Sequence, residues 1–185
     1  MFISVLDLFK IGIGPSSSHT VGPMVAALAF RKQLEQRNPH ATLAGHHIRC
    51  TLKGSLAFTG KGHATDRAVI LGLNGYAPDE LTQLDVAKLS NTLWAAPSIN
   101  IAGLDVSFCA DTDLIFDFGA PLPEHPNGMI FELLDAQGQI ELSETLFSIG
   151  GGFVTPLAKI NQSVAPIAME SLKACPFASV SLNQM

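Results

Sequence analysis

A cluster of hydroxyl groups around one imidazole lies near the start of the chain, in the segment GPSSSHT (residues 14–20). Its hydroxyl-bearing residues are Ser16, Ser17, Ser18 and Thr20, and its imidazole is that of His19. Apolar residues at helical spacing follow, so the segment is predicted to open a helix. A helix start presents unpaired backbone N–H groups and a partial positive charge, and the hydroxyls add neutral donors. The segment therefore has the chemistry to hold a carboxylate or a phosphate.

The same residues have a purely structural explanation. Serine and threonine favour the first positions of a helix because their side-chain oxygens accept backbone N–H bonds. Ser18 or Thr20 is then the cap, and His19 is satisfied by the backbone. Both interpretations stay open at this point.

A second segment, TGKGHATD (residues 59–66), repeats the arrangement of glycines, a histidine and a hydroxyl before a predicted helix. Thr65 is the expected N-cap, and Asp66 suits the first turn. If the two helix starts converge, His19 and His63 flank one anion pocket to which Lys61 adds charge. Either imidazole then has a suitable pKa for a general base near neutral pH. The alternative is an exposed loop histidine beside a solvated lysine.

The other histidines and the cysteines predict no metal site in this chain. No HxxxH, HExxH or paired Cys/His spacing is present, and Cys50, Cys109 and Cys175 are far apart in the sequence. The three thiols are therefore expected to be buried or incidental, without disulfides. Gly150–Gly152 either wraps a phosphate or, more simply, forms a flexible hinge.

Composition limits the classes of partner. The chain has a formal net charge of -5 and no run of basic residues, which argues against nucleic-acid binding. Residues 1–10 do not have the pattern of a signal peptide, and no stretch is apolar enough for a membrane span. A cytoplasmic location without membrane attachment is the expectation.

The periodicity changes from helical to alternating along the chain. Helices are predicted after residue 20, after residue 65 and within 79–95, with a strand at 46–53 and further strands from residue 98 onward. This order predicts an α+β fold with a mixed or antiparallel sheet packed against helices. One domain is expected over residues 1–154, followed by a linker over 155–185.

Four segments form a series: LFKIGIGPSSSHTVGPM (8–24), GSLAFTGKGHATDRAVILGLNG (54–75), HPNGM (125–129) and SIGGGF (148–153). The series resembles the N-terminal part of iron-sulfur L-serine dehydratases of the single-chain type, in the same order. The resemblance implies the serine dehydratase beta domain, a fold similar to the allosteric substrate-binding domain of some phosphoglycerate dehydrogenases. It also implies a C-terminal helical catalytic domain beyond residue 185, or a separate alpha subunit, as the partner.

The reaction implied by the resemblance converts L-serine through aminoacrylate to pyruvate and ammonia. A [4Fe-4S] cluster, with ligands outside this chain, acts on the serine hydroxyl in that family. By the same resemblance Ser16, Ser17, Ser18 and Thr20 hold the substrate carboxylate, and His63 and His19 share the catalytic roles, with His63 as the preferred base. Lys61, Thr65, Asp66 and Asn127 complete the expected substrate side.

Two other classes of function compete with this hypothesis. The first is a non-catalytic module that binds serine or another small anion, since the same loops would serve that purpose. The second is a structural domain that associates with a second copy through exposed apolar surface, and a homo-oligomer is expected.

Overall fold

The computed structural model describes residues 12–37 and 45–161. The first hydroxyl-rich segment opens a helix, as predicted. One π-helical turn, Ser17–Val21, continues into helix α1, Gly22–Arg37. Pro23 lies in the first turn of α1, where its missing N–H group costs no helical hydrogen bond. The buried side of the helix consists of Met24, Ala26, Ala27, Phe30 and Leu34.

The segment 54–64 is more ordered than the glycine-rich loop expected there. It contains the short helix α2, Ser55–Thr59, and the 3-10 turn Gly60–His63. The residue before α2, Gly54, has a φ of 56°, which reverses the chain sharply after the preceding strand. Leu56 and Ala57 anchor α2 by burying their side chains.

Helix α3, Thr65–Leu73, packs along α1. A side chain at Gly72 would overlap the carbonyl oxygen of Met24, so glycine permits this close approach. Arg31 of α1 donates from Nη1 to the Leu73 carbonyl oxygen at 2.9 Å and satisfies the end of α3. Gly75, which follows with a φ of 95°, ends the helix in the left-handed conformation.

Seven strands form one mixed sheet in the order β2-β3-β1-β5-β6-β7, and β4 also pairs with β1. They are β1 His47–Lys53, β2 Ser98–Ile101, β3 Leu104–Ser107, β4 Leu114–Asp117, β5 Gly128–Leu134, β6 Ile140–Gly150 and β7 Phe153–Pro156. β1 is parallel to β3 and β4 and antiparallel to β5. The predicted α+β fold with a mixed sheet is confirmed. The remaining helices are α4 Val86–Trp94, α5 Ala110–Asp113 and α6 Leu157–Ile160, and a 3-10 segment spans Pro78–Gln83.

The core lies between α1 and the centre of the sheet. Alternate residues of β1 are buried, namely Ile48, Cys50 and Leu52, as the alternation in the sequence predicts. Phe30 of α1 stacks on Phe131 of β5 with ring centroids 5.4 Å apart. On the register of β1 and β5, Arg49 Nε donates to Glu132 Oε2 at 2.8 Å.

The end of the described chain remains attached to the sheet. β7 pairs with β6 through a turn in which Gly150, Gly151 and Gly152 have φ values of 93°, 59° and 75°. The glycines therefore form a tight reversal that side chains would strain. Residues 162–185, which carry most of the predicted linker and Cys175, lie outside the described residues. No helix within residues 12–37 and 45–161 is long and apolar enough to cross a membrane.

Candidate functional site

The two hydroxyl-rich helix starts meet at the end of the sheet where β1 leads into α2. Ser16, not Ser18 or Thr20, caps the first helix, because its Oγ accepts the backbone N–H of His19 at 3.1 Å. The second cap is also different from the prediction. Ala64, with a left-handed φ of 56°, precedes α3, and Thr65 is already helical.

Thr65 and Thr20 instead tie the two helix starts together. Thr20 Oγ1 donates to the carbonyl oxygen of His63 at 2.7 Å, and Thr65 Oγ1 donates to the carbonyl oxygen of His19. Both threonines are fully buried. A hydroxyl has one proton, and each is already donated, so neither threonine can donate to a carboxylate in this arrangement. Thr20 thus holds the backbone of His63, and Thr65 holds the backbone of His19.

His19 has a hydroxyl on each ring nitrogen. Nδ1 lies 2.9 Å from Ser18 Oγ, and Nε2 lies 2.8 Å from Ser55 Oγ. Partial burial lowers the pKa of His19 below its ordinary value, and the neighbouring His63 lowers it further. The environment therefore favours a neutral ring that donates one hydrogen bond and accepts the other.

His63 lies beside His19, with ring centroids 5.0 Å apart. Its Nδ1 lies 2.9 Å from the carbonyl oxygen of Thr59. A carbonyl oxygen only accepts, so Nδ1 carries the proton and the neutral ring has its lone pair on Nε2. The two helix starts therefore converge, which was one of the alternatives that the paired segments left open, and the ring nitrogens of the two histidines have different partners.

The other predicted site residues are distributed around this pair. Ser17 is exposed, and its hydroxyl has no partner among the described residues. Lys61 is exposed on the second segment, with Nζ 5.2 Å from the centroid of the Phe116 ring. Asp66 lies in the first turn of α3 and accepts the backbone N–H of Arg67 at 2.8 Å.

The two later segments of the series, 125–129 and 148–153, contact the starts of α2 and α1. Asn127 donates from Nδ2 to the carbonyl oxygen of Ser148 at 3.2 Å, and Ser148 N–H donates to the Asn127 carbonyl at 3.1 Å. Ser148 lies against Gly22 at the start of α1, where a side chain at residue 22 would overlap it. The carbonyl oxygen of Pro126 accepts the N–H of Ser55 at 2.9 Å. All four segments singled out in the sequence therefore meet at one place.

Comparison with known proteins identifies the family of the chain. The family described as "Serine dehydratase beta chain" matches residues 4–159. The chain belongs to this family. Its curated relatives include the L-serine dehydratase of Streptomyces coelicolor, which is 43% identical over 83% of this chain and 34% of its own length. That of Mycobacterium tuberculosis is 39% identical over 100% of the chain and 41% of its own length. That of Haemophilus influenzae is 42% identical, with 82% and 33% covered. The chain spans about a third to two fifths of these relatives.

Ser55 and Ser148 are the two residues of this beta-chain domain that sequence reasoning did not select. Ser55 directly follows the left-handed Gly54 and opens a helix, a position that could have drawn attention to it. Ser148 is fully buried, and its Oγ has no hydrogen-bond partner among the described residues. Ser148 opens the SIGGGF segment of the series, and that position was the one sequence signal for it.

The described part of the beta-chain domain does not fit an iron–sulfur cluster. Such clusters are held by several cysteine thiolates. Cys50 is fully buried in β1, and burial raises the pKa of its thiol far above the ordinary value, whereas Cys109 is exposed. No three His, Cys, Asp or Glu residues among those described come together as metal ligands.

An exposed aromatic pair borders the site of the beta-chain domain. Phe58 of α2 and Phe118, just after β4, are 64% and 59% exposed. Their rings meet edge to face, with centroids 5.3 Å apart. Phe58 lies on the same short helix as Ser55 and Thr59, which contact the two histidines.

Proposed function

We propose that this chain supplies the substrate side of an L-serine dehydratase, which eliminates water from L-serine to give aminoacrylate and then pyruvate and ammonia. The observation that carries the proposal is the His19–His63 pair at the joined starts of two helices. Family membership supports the substrate class, since the curated relatives are named L-serine dehydratases.

His63 is the proposed base. With Nδ1–H held by the Thr59 carbonyl, Nε2 has a lone pair that can accept the α-proton of serine. The electrons of that C–H bond form the carbon–carbon double bond as the β-hydroxyl leaves. His19 is less suited, because both of its ring nitrogens already have hydroxyl partners and its pKa is lowered.

The first segment is the proposed carboxylate site. Ser16, Ser17 and Ser18 surround the first turn before α1, and Ser17 has an exposed hydroxyl available for donation. The positive end of α1 favours an anion there. Thr20 and Thr65 are assigned a positioning role, because their protons are already committed to carbonyl groups.

Charged residues on the second segment complete the proposed substrate side. Lys61 adds positive potential toward the carboxylate, and the Asp66 carboxylate is suited to the substrate ammonium group. Asn127 uses one amide N–H on Ser148, and its second N–H is the proposed substrate contact.

The remaining length of the relatives is the proposed partner, as a C-terminal domain or as a separate alpha subunit. We assign to it the [4Fe-4S] cluster expected from the family, since the described cysteines do not fit one. The exposed pair Phe58 and Phe118 is the proposed contact, because large apolar side chains beside a half-site favour association.

Anaerobic reconstitution with iron and sulfide tests the function. Pyruvate formation from L-serine is measured for this chain alone and for this chain with the catalytic part of an L-serine dehydratase. Activity only in the combination supports the proposal. No activity in a combination with verified cluster absorbance contradicts it. Calorimetric binding of serine by the chain without activity in any combination would favour a sensing module instead.

A further inference from the structure

Four side chains form a continuous hydrogen-bonded row across the site. Ser16 Oγ lies 3.3 Å from Ser18 Oγ, which lies 2.9 Å from His19 Nδ1. His19 Nε2 lies 2.8 Å from Ser55 Oγ at the other end. The row joins the first segment of the series to the second.

Proton counting limits this row to two arrangements of donors and acceptors. Each hydroxyl has one proton to donate, and a neutral imidazole donates from one nitrogen and accepts at the other. Bonds in such a row must therefore point the same way. In the first arrangement Ser55 donates to Nε2 of His19, and the hydroxyl proton of Ser16 is not used within the row. In the second arrangement Ser16 donates to Ser18, and the hydroxyl proton of Ser55 is not used within the row.

The Ser16 end of the row belongs to the proposed carboxylate site. Ser16 Oγ already accepts the backbone N–H of His19 at 3.1 Å. If it also accepts from Ser18, both of its acceptor positions are filled, and its proton is available to an anion. A carboxylate only accepts, so binding there selects the first of the two directions.

We propose that Ser55 is a positioning residue that donates to Nε2 of His19, fixes the Nδ1–H tautomer of that ring and thereby leaves the Ser16 proton for the substrate carboxylate. The inference rests on the proposed function for the identity of the anion. The tautomer of His19 is measured directly on the ring nitrogens, whichever anion binds at Ser16.

Ser55 is held firmly enough for this role. Gly54, with its φ of 56°, turns the chain so that the Ser55 N–H donates to the Pro126 carbonyl oxygen at 2.9 Å. One turn later, Thr59 Oγ1 donates to the Ser55 carbonyl oxygen at 2.8 Å. The Thr59 carbonyl oxygen holds His63, so helix α2 orients one imidazole with each end.

The test is long-range 1H–15N NMR of the histidine-labelled chain at pH 8, with and without L-serine. We expect wild-type His19 to show a protonated Nδ1 and a lone-pair Nε2. In Ser55→Ala the Nε2 signal should move toward the protonated position, because the donor is lost and the other tautomer becomes available. Ser55→Thr, which keeps a hydroxyl, should restore the wild-type signal.

Thr92→Val is the matched control, since it removes a helical hydroxyl that donates to a carbonyl oxygen four residues earlier, remote from the histidines. Its His19 signals should equal those of wild type. The backbone amide spectrum verifies that each variant is folded. A wild-type Nε2–H tautomer, or an unchanged His19 in folded Ser55→Ala, would overturn the inference.

A second readout separates this inference from the proposed function. In the assembled enzyme, Ser55→Ala should lower kcat/KM for L-serine by about tenfold, the loss expected from one hydrogen bond, and Ser55→Thr should recover most of it. If the wild-type assembly does not act on serine, the proposed function fails, and the tautomer result still decides the role of Ser55 toward His19.

Discussion

His19 and His63 lie with their ring centroids 5.0 Å apart and their planes inclined by 41°. His19 has hydroxyl partners on both ring nitrogens, whereas Nδ1 of His63 is held by a carbonyl oxygen. The neighbours of the two imidazoles therefore give their ring nitrogens different hydrogen-bond partners.

Replacing His63 with Gln should abolish the base and leave the substrate side in place. In the assembled enzyme we expect exchange of the serine α-proton to fall by about 10²- to 10⁴-fold, the usual contribution of a general base. The measurement is loss of deuterium from α-deuterated serine. His19→Gln is the comparison, and it should affect KM more than exchange. A larger loss of exchange in His19→Gln than in His63→Gln would reverse the assignment.

Replacing Ser17 with Ala should weaken serine binding without altering the fold. Loss of one charge-assisted hydrogen bond should cost roughly 1 to 3 kcal/mol of binding free energy. Isothermal titration of the assembled protein measures the change. Ser143→Ala, at another exposed serine on β6, is the control and should bind as wild type. Equal affinities for the two variants would remove Ser17 from the site.

The lowered pKa of His19 predicts a pH dependence of stability. The unfolded chain binds a proton at the ordinary pKa of about 6.5, above the pKa in the folded state. Stability should therefore rise with pH across the interval between the folded pKa and about 6.5, and should fall as the pH drops through it. The contribution of His19 is absent at higher pH because both states are then neutral.

Urea unfolding at pH values from 5 to 8 tests this dependence. His19→Gln should reduce the slope of the free energy of unfolding against pH. The slopes of the two proteins are compared, not their absolute stabilities. Lys53 lowers the pKa of Asp117, whose contribution is lost only as the pH falls below the ordinary carboxyl range. Asp117 therefore adds no pH dependence of stability in the range where His19 titrates. An identical slope in wild type and His19→Gln would contradict the prediction.

Replacing Gly54 with Ala should be much more damaging than a replacement at another left-handed glycine. The φ of 56° strains any other residue, and the new Cβ would overlap the Pro126 carbonyl oxygen. Gly138, with a φ of 79°, has no atom within 4 Å of such a Cβ. Gly138→Ala should cost about 1 to 2 kcal/mol of stability from backbone strain alone. Gly54→Ala should exceed that value in chemical denaturation and should also disturb the His19 NMR signals.

Replacing Phe58 and Phe118 together with Ser should weaken association with the catalytic part. The two rings are mostly exposed, so the folding stability of this chain should change little. Dissociation constants from analytical ultracentrifugation or calorimetry measure the effect. Ile140→Ser, at an apolar side chain that is 52% exposed on β6, serves as the control. Unchanged affinity in the double variant would place the partner elsewhere.

The sequence predicted those parts of the fold in which local pattern and tertiary packing agree. Helix α1 and strand β1 have clear periodicity, and both were located to within a few residues. Helix α2 was missed because a five-residue helix between glycines has too few residues to display a period. Its stability comes from the buried Leu56 and from the Pro126 carbonyl, which no local pattern reveals.

For the candidate site, the sequence pointed to two segments but not to the contacts between them. The repeated Gly/Ser/His pattern offered convergence of His19 and His63 as one of two alternatives, and the structure shows the two rings side by side. The separate roles of the threonines could not be predicted, because burial of Thr20 and Thr65 arises only when the two helix starts dock. Ser55 was missed for the same reason, since its contact with His19 joins residues that are remote in the sequence.

The contact of Gly22 with Ser148 has a consequence for the order of folding. The first partner leaves the ribosome early and the second only after most of the sheet has been synthesised. Closing so long a loop costs conformational entropy, and contacts between residues far apart in the sequence slow folding. During synthesis, the start of α1 therefore cannot complete its packing until strand β6 has been made. Refolding experiments should find the packing of Gly22 against Ser148 among the last contacts to form.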